Sequence, residues 1–367
     1  MEQIAGVDAQ LGSANQKRAV EGSLLGLMVG DALGLPFEGI SARRIKQLLK
    51  ARPRHALVFG KGMISDDTEH AAMTAASMIT RWGDWDRFQG SLAWRLRWWL
   101  MRLPAGIGMA TGRAIIKLWM GFPAKYSGVY SAGNGPAMRA PIIGVCLGHD
   151  RETMKQVVAA STVITHKDPK ATVAALAVAQ AAYMAGCCES VSLEAFRSEL
   201  QSLLATEDSG AVKEFENTMD RLESHWEGNP EAVAEVMGLK KGVTGYSYHT
   251  VPMVLFLWLK YQSDYAAAVE AMIRLGGDTD TTSAILGGIL GAGVGKEGIP
   301  QDWIEDIVDW PITAKYLQSL SEDLAFCMET GERRSTRWLP GPPIFVRNLM
   351  FLAIVLVHGF RRLLPPY

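Results

Sequence analysis

Glycines stand at positions 22, 26, 30 and 34, four residues apart, inside a segment that otherwise reads as an apolar helix. That spacing puts all of them on one helical face. A glycine inside a helix costs about 1 kcal/mol relative to alanine, so the stripe needs a compensating gain, and close approach of a second backbone is the natural one. Gly287, Gly291 and Gly295 repeat the spacing far along the chain. The two stripes are expected to pack on each other, carrying Asp31 toward Asp278 and Asp280.

Helical periodicity recurs over 68–82, 88–102, 110–120, 152–164, 170–186, 193–204, 211–224, 230–238, 251–262, 264–274 and 281–292. Sustained period-2 alternation is scarce; Val58-Phe59 and Val129-Tyr130 are too short to argue a sheet. The pattern predicts an all-α domain over 19–330, its first helix starting near Arg18. Residues 1–18 form an N-terminal extension and 331–367 an apolar tail. The tail holds nine consecutive apolar residues, 349–357, against about 20 for a membrane span. A helix docked on the domain or on a partner is expected, with interfacial membrane attachment as the alternative. Trp82, Trp85, Trp94, Trp98, Trp99 and Trp119 crowd one arginine-rich region, where core packing under arginine stems is the expectation and a partner surface the alternative.

With 37 basic and 38 acidic residues the net charge is −1, which argues against a nucleic-acid surface or attraction to an anionic membrane. Cys146, Cys187, Cys188 and Cys327 lack zinc-ligand spacing and read as small buried residues. Residues 1–18 lack the apolar centre of a signal peptide. A reducing cytoplasm fits these features.

Two acidic clusters remain, Ser65-Asp66-Asp67-Thr68 and Asp278-Thr279-Asp280-Thr281-Thr282, each directly before or at the start of a helical stretch. Taken singly, each suits helix capping. Taken together, four carboxylates in one small site repel strongly unless a cation neutralises them. If folding joins the clusters, the result is an all-oxygen cage for Mg²⁺ or Mn²⁺ rather than zinc. Gly276-Gly277 ahead of the second cluster allows a sharp bend. The second cluster also fits a D-x-D-x-T phosphatase pattern and the start of a calcium loop. It lacks the preceding strand of the former, and has Ser283 and Ile289 where the latter needs Gly and Glu.

Three further turns carry candidate binding groups. Gly133-Asn134-Gly135-Pro136 leads into an apolar helix and could offer N–H groups to a phosphate. His166 follows Thr165 between two helices, and Tyr246 and Tyr248 lie on a flexible turn where either could stack on a base. Each alone also reads as an ordinary turn.

In order, Gly30-Asp31-Ala32-Leu33-Gly34 with Glu38, Ser65-Asp66-Asp67-Thr68, Gly133-Asn134-Gly135 with Met138-Arg139, Thr165-His166, Gly245-Tyr246 and Gly276-Gly277-Asp278-Thr279-Asp280-Thr281 resemble the ADP-ribosylglycohydrolase family over about 19–310. The resemblance implies a compact all-α fold with two Mg²⁺ ions in a central cleft. It assigns Ser65, Asp66, Asp67, Asp278, Asp280 and Thr281 as metal ligands, with Glu38, Asp67 or Asp280 taking the proton. It assigns Gly133, Asn134, Gly135 and His166 to the diphosphate and Tyr246 to the distal ribose or adenosine. Ser65 stands where threonine is common, and Pro136 removes one N–H donor.

The implied reaction is hydrolysis of the N-glycosidic bond between ADP-ribose and a protein side chain, with arginine the expected acceptor. Serine, a small conjugate or a nucleic-acid end stay open. The resemblance also implies an alternative, an immunity protein that blocks an ADP-ribosyltransferase toxin through residues 1–17.

Overall fold

The computed structural model describes residues 13–337, 339 and 341–361. Residues 1–12, and with them most of the expected toxin-blocking extension, lie outside the described residues. The chain is helical nearly throughout, as the periodicity requires, and every helix anticipated from it is present. The first helix begins earlier than expected, running Ser13–Gly34 rather than from Arg18, so residues 13–17 are its first turns. Arg18 is not a start signal: its guanidinium donates to the carbonyls of Gly293 and Val294. Among the described residues the only named strands are Ile40–Ser41 and Gly276–Gly277, paired antiparallel with Ile40 opposite Gly277.

Helices Ser13–Gly34 and Thr279–Val294 form the centre. The glycine stripes mesh backbone to backbone. A Cβ on Gly26 would fall 2.2 Å from the Gly287 carbonyl oxygen, and one on Gly22 2.1 Å from that of Gly291. Toward the functional end the partners become Ser283 for Gly30 and Thr279 for Gly34. The seam is locked by two side-chain donors, Tyr265 Oη to Gly26 O at 2.5 Å and Thr279 Oγ1 to Gly34 O at 2.8 Å. Helices Pro169–Cys187, Ala140–Leu147 and Ala314–Thr330 pack around this pair and complete a fully buried aliphatic core.

Among the described residues the tail forms one helix, Gly341–Arg361, docked on the domain. Its anchor is ionic. Arg347, 7% exposed, donates to Asp309 at 2.5 Å, to Glu69 at 3.4 Å and to the Ile64 carbonyl at 2.8 Å. Asp309 in turn accepts from the Ile64 N–H at 2.9 Å, and Trp99 Nε1 donates to Glu69 at 2.5 Å. Phe351 adds an apolar contact with Leu35, Leu57 and Met63.

The tryptophan region divides: Trp82 and Trp85 are half-buried against the core as expected. Trp99 is buried, but Trp94, Trp98 and Trp119 are 53%, 41% and 43% exposed. They meet edge to face at 5.7–5.8 Å, and Trp119 Nε1 donates to the Arg97 carbonyl at 3.2 Å. Cys146 and Cys327 are buried as expected, while Cys187 and Cys188 are only half-buried.

Two stability outcomes follow. Gly26→Val drives a side chain into the Gly287 carbonyl, an overpacking worth about 3 kcal/mol or more; thermal unfolding followed by circular dichroism should show a large fall in Tm or no folded protein. Arg347→Met leaves Glu69 and Asp309 buried without their cation, at a cost of about 3–5 kcal/mol. The Arg347→Met/Asp309→Leu double variant should recover part of that loss in the same measurement.

Candidate active site

Both acidic clusters occupy helix N-termini, where exposed N–H groups and the helix dipole favour negative charge. Ser65 caps Asp66–Thr80, its Oγ accepting from the Asp67 N–H at 3.3 Å and donating to Asp67 Oδ2 at 3.1 Å. Asp278 precedes Thr279–Val294, but its side chain does not cap that helix. Instead Asp278 Oδ2 accepts from Asn134 Nδ2 at 2.7 Å. Gly276 and Gly277 make the bend at φ +72° and +90°. A Cβ on Gly277 would meet the Val243 carbonyl at 2.0 Å, so the bend is reserved for glycine.

The fold joins the clusters. Thr281 Oγ1 donates to Asp67 Oδ2 at 3.1 Å across 214 residues of sequence. Asp31, fully buried on the first helix, accepts from the N–H groups of Ser65 at 3.0 Å and Thr68 at 3.2 Å, holding the first cluster in place. Glu38 follows the short Leu35–Phe37 turn. The Gly39 N–H donates to the Gly277 carbonyl at 2.7 Å, which ties the Glu38 turn to the segment carrying Asp278. One oxygen from each of Glu38, Asp278 and Asp280 lies within 4.8 Å of the others.

The electrostatics are unfavourable without a cation. Burial pushes the Asp31 carboxyl up to about 6, against the hydrogen bonds from Thr68 and Ser65. Burial, followed by the charges of Asp31 and Glu69, raises Asp66 well above the usual range. Asp67 is raised by burial and by Asp66, Asp31 and Asp278; Asp280 is raised by burial and by Glu38, Asp278 and Asp67. The Oδ1 atoms of Asp67 and Asp280 are buried with no hydrogen-bond partner. An unpartnered buried carboxylate oxygen is costly, and carboxylates that repel one another around such atoms fit a hard divalent cation. Ser65, Asp66, Asp67, Asp278, Asp280, Thr281 and Glu38 supply oxygen only, and among the described residues no histidine or cysteine joins the grouped carboxylates of Glu38, Asp278 and Asp280 to favour a softer metal.

The glycine turn sits against this cluster. The Asn134 N–H donates to the Gly245 carbonyl at 2.9 Å, so that amide is committed to the protein rather than open to a phosphate. Gly133 pairs with Tyr246 in a bridge. Below the turn lies His166, 3% exposed. A Cβ on Gly133 would stand 2.9 Å from its Nε2, and one on Gly135 3.1 Å from its Cε1. His166 Nδ1 pairs with Thr165 Oγ1 at 2.9 Å. Burial and the nearby Arg139 guanidinium hold His166 down to about 3, so near neutral pH it is an uncharged imidazole. Arg139 is itself buried, with no carboxylate partner among the described residues. It donates to Ser161 and Thr165 and faces His70, and burial lowers it to about 9. The Tyr246 hydroxyl is engaged by Lys170 at 3.2 Å and Glu214 at 3.1 Å.

Sequence reasoning missed the buttress of Glu69, Asp309 and Arg347 behind Ile64-Ser65. No local pattern marks it, because its contacts to Ile64 span 245 and 283 residues. The Arg139 network was also missed as a network, although Met138-Arg139 was marked.

The repulsion predicts how the metal-free protein responds to pH. A carboxyl raised in the folded state binds its proton more tightly folded than unfolded. That stability is present below the unfolded value near 4 and is lost as pH rises through the folded value, about 6 for Asp31. Metal-free protein should therefore melt at lower temperature at pH 7 than at pH 5. Mg²⁺ or Mn²⁺ at about 100 times its Kd should restore about 2.7 kcal/mol, roughly 3 °C for a chain of this length. Asp67→Asn should raise the metal-free Tm at pH 7 and abolish the response to divalent ions. A wild-type Tm indifferent to both pH and divalent ions would contradict this account.

Comparison with known proteins identifies the family. The family model described as ADP-ribosylglycohydrolase matches residues 12–334. The ADP-ribosyl-[dinitrogen reductase] glycohydrolase of Rhodospirillum rubrum is 25% identical over 292 residues, covering 78% of this chain and 89% of that protein. The ADP-ribosylhydrolase ARH3 of Gallus gallus is 25% identical over 345 residues, covering 82% and 92%. A solved chain of an ADP-ribosylglycohydrolase-related protein complex has the same fold, with a TM-score of 0.64 at 24% identity over 86% of this chain and 99% of that one. The chain belongs to the ADP-ribosylglycohydrolase family, hydrolases acting on glycosyl bonds.

Proposed function

We propose that this protein removes ADP-ribose from arginine side chains of modified proteins, with Mg²⁺ held by Ser65, Asp66, Asp67, Asp278, Asp280 and Thr281. The observation that carries the reading is the union of the two clusters through Thr281 and Asp67, which leaves two buried carboxylate oxygens without partners. A divalent pair bound there supplies Lewis acidity toward the ribose hydroxyls and a water.

The protein's own groups supply the rest. Glu38 is exposed at the edge of the cluster and takes the proton of the attacking water as general base. Asn134 holds Asp278 in one orientation, linking the acid cluster to the diphosphate side. Gly133 and Gly135 let the diphosphate approach the backbone without a Cβ in the way. His166, uncharged, contributes an N–H donor rather than a positive charge. Tyr246, held by Lys170 and Glu214, lines the distal ribose side. The exposed Glu38 and half-buried Asp278 give the rim a negative character that suits a guanidinium leaving group.

The test is release of ADP-ribose from arginine-modified and serine-modified protein, each with Mg²⁺ and with excess chelator. Release from the arginine conjugate should need the metal and exceed that from the serine conjugate. Asp280→Ala should lower the rate by at least about a hundredfold. Full activity in chelator, or in the variant, would remove the metal mechanism, and faster release from the serine conjugate would reassign the acceptor.

A further inference from the structure

The helix Gly341–Arg361 lies beyond the residues matched by the family model, and it turns an apolar face outward. Its protein-facing side buries Arg347 and Asn348 beside Ile344 and Phe351, whereas from 345 to 360 every exposed side chain is apolar, Phe345, Leu349, Met350, Leu356, Val357 and Phe360 among them. A surface helix of a globular protein turns its apolar stripe inward and its polar face to water.

Two neighbouring turns extend this outward apolar face. Among the described residues, the non-glycine positions with positive φ are Phe59 at 47° and Leu103 at 52°, a conformation that is rare for large side chains. Both side chains are exposed, and both turns touch the tail helix. Val58, beside Phe59, packs on the group containing Phe351, and Asn348 Nδ2 donates to the Arg102 carbonyl at 2.8 Å, next to Leu103.

The exposed charge at one end of the helix is basic. After Glu332 the sequence carries no acid, and of its arginines Arg347 is taken up by Asp309 and Glu69 and Arg334 by Asp323. Exposed Lys50, Arg52 and Arg54 line a groove with Arg361 at the helix end.

We propose that this face docks on an anionic lipid surface, the helix lying in the membrane plane with Phe59 and Leu103 as flanking apolar contacts. An apolar face rimmed by arginine and lysine fits acyl chains below a layer of negative headgroups. A second copy would have to pair the same apolar face about a two-fold axis, and it leaves the basic groove at the helix end without a negative partner. A membrane span is disfavoured by Arg347 and Asn348 within the helix, both committed to protein partners. The net charge of −1 argued against such attraction for the chain as a whole; the tail and its groove concentrate the basic residues locally.

The test is flotation of the full chain with vesicles of phosphatidylcholine alone and of phosphatidylcholine mixed with phosphatidylglycerol. Binding to the anionic vesicles should exceed binding to the neutral ones by at least about tenfold and fall with added salt. Leu356→Glu/Val357→Glu, both exposed and outside the active site, should cut binding at least tenfold while Tm is unchanged, and Phe59→Asp should weaken it independently. Absence of flotation by the wild-type chain, or equal flotation by the Glu variant, would overturn the proposal. So would a wild-type dimer in sedimentation that the Glu variant disperses without any lipid binding, or resistance of bound protein to alkaline extraction, which marks a span.

Discussion

The contact between the glycine faces of Ser13–Gly34 and Thr279–Val294 is the constraint on which the rest depends. Because the two backbones touch, the end of one helix lies against the start of the other. Asp31 comes from the first, and Thr279, Asp280 and Thr281 from the second. A side chain at any glycine of the seam would separate the axes. The cost would then appear both as lost packing and as loss of the geometry that sets Thr281 against Asp67. The helix propensity given up at each glycine is thus linked directly to the position of the acids.

The second consequence is electrostatic. The fold gathers Asp31, Asp66, Asp67 and Asp280 where burial and mutual repulsion oppose ionisation. Rigid support is what allows this. Asp31 holds the Ser65 turn from below, Arg347 and Asp309 hold Ile64 from behind, and the Ile40–Gly277 pairing fixes the approach to Asp278. Replacing Asp66, Asp67 or Asp280 with a neutral group would ease the repulsion and remove a candidate ligand together, so stability and function pull in opposite directions at this site.

The helices were legible because amphipathic periodicity is local, and the glycine seam because its spacing matches a helical face. The acid clusters were legible as candidates because Asp and Thr at fixed short spacing are visible in one segment. The remainder depends on contacts distant in sequence. Nothing near Ser65 announces that Arg347 will sit behind it, and nothing near Asn134 shows that its N–H belongs to Gly245. His166 read as a polar donor between helices; that it would be buried beneath a glycine turn and beside a buried arginine required the packed structure. Trp94, Trp98 and Trp119 misled because aromatic residues usually mark core, and here three of them cluster on the surface.

On the proposed function, the two clusters, joined across 214 residues through Thr281 and Asp67, hold a pair of divalent ions. Low-temperature electron paramagnetic resonance of the Mn²⁺-loaded protein tests this directly. Ions about 4 Å apart should give the broad spectrum of an exchange-coupled pair, reached at two equivalents of Mn²⁺ per chain. A six-line spectrum of isolated Mn²⁺ at every loading would contradict the account.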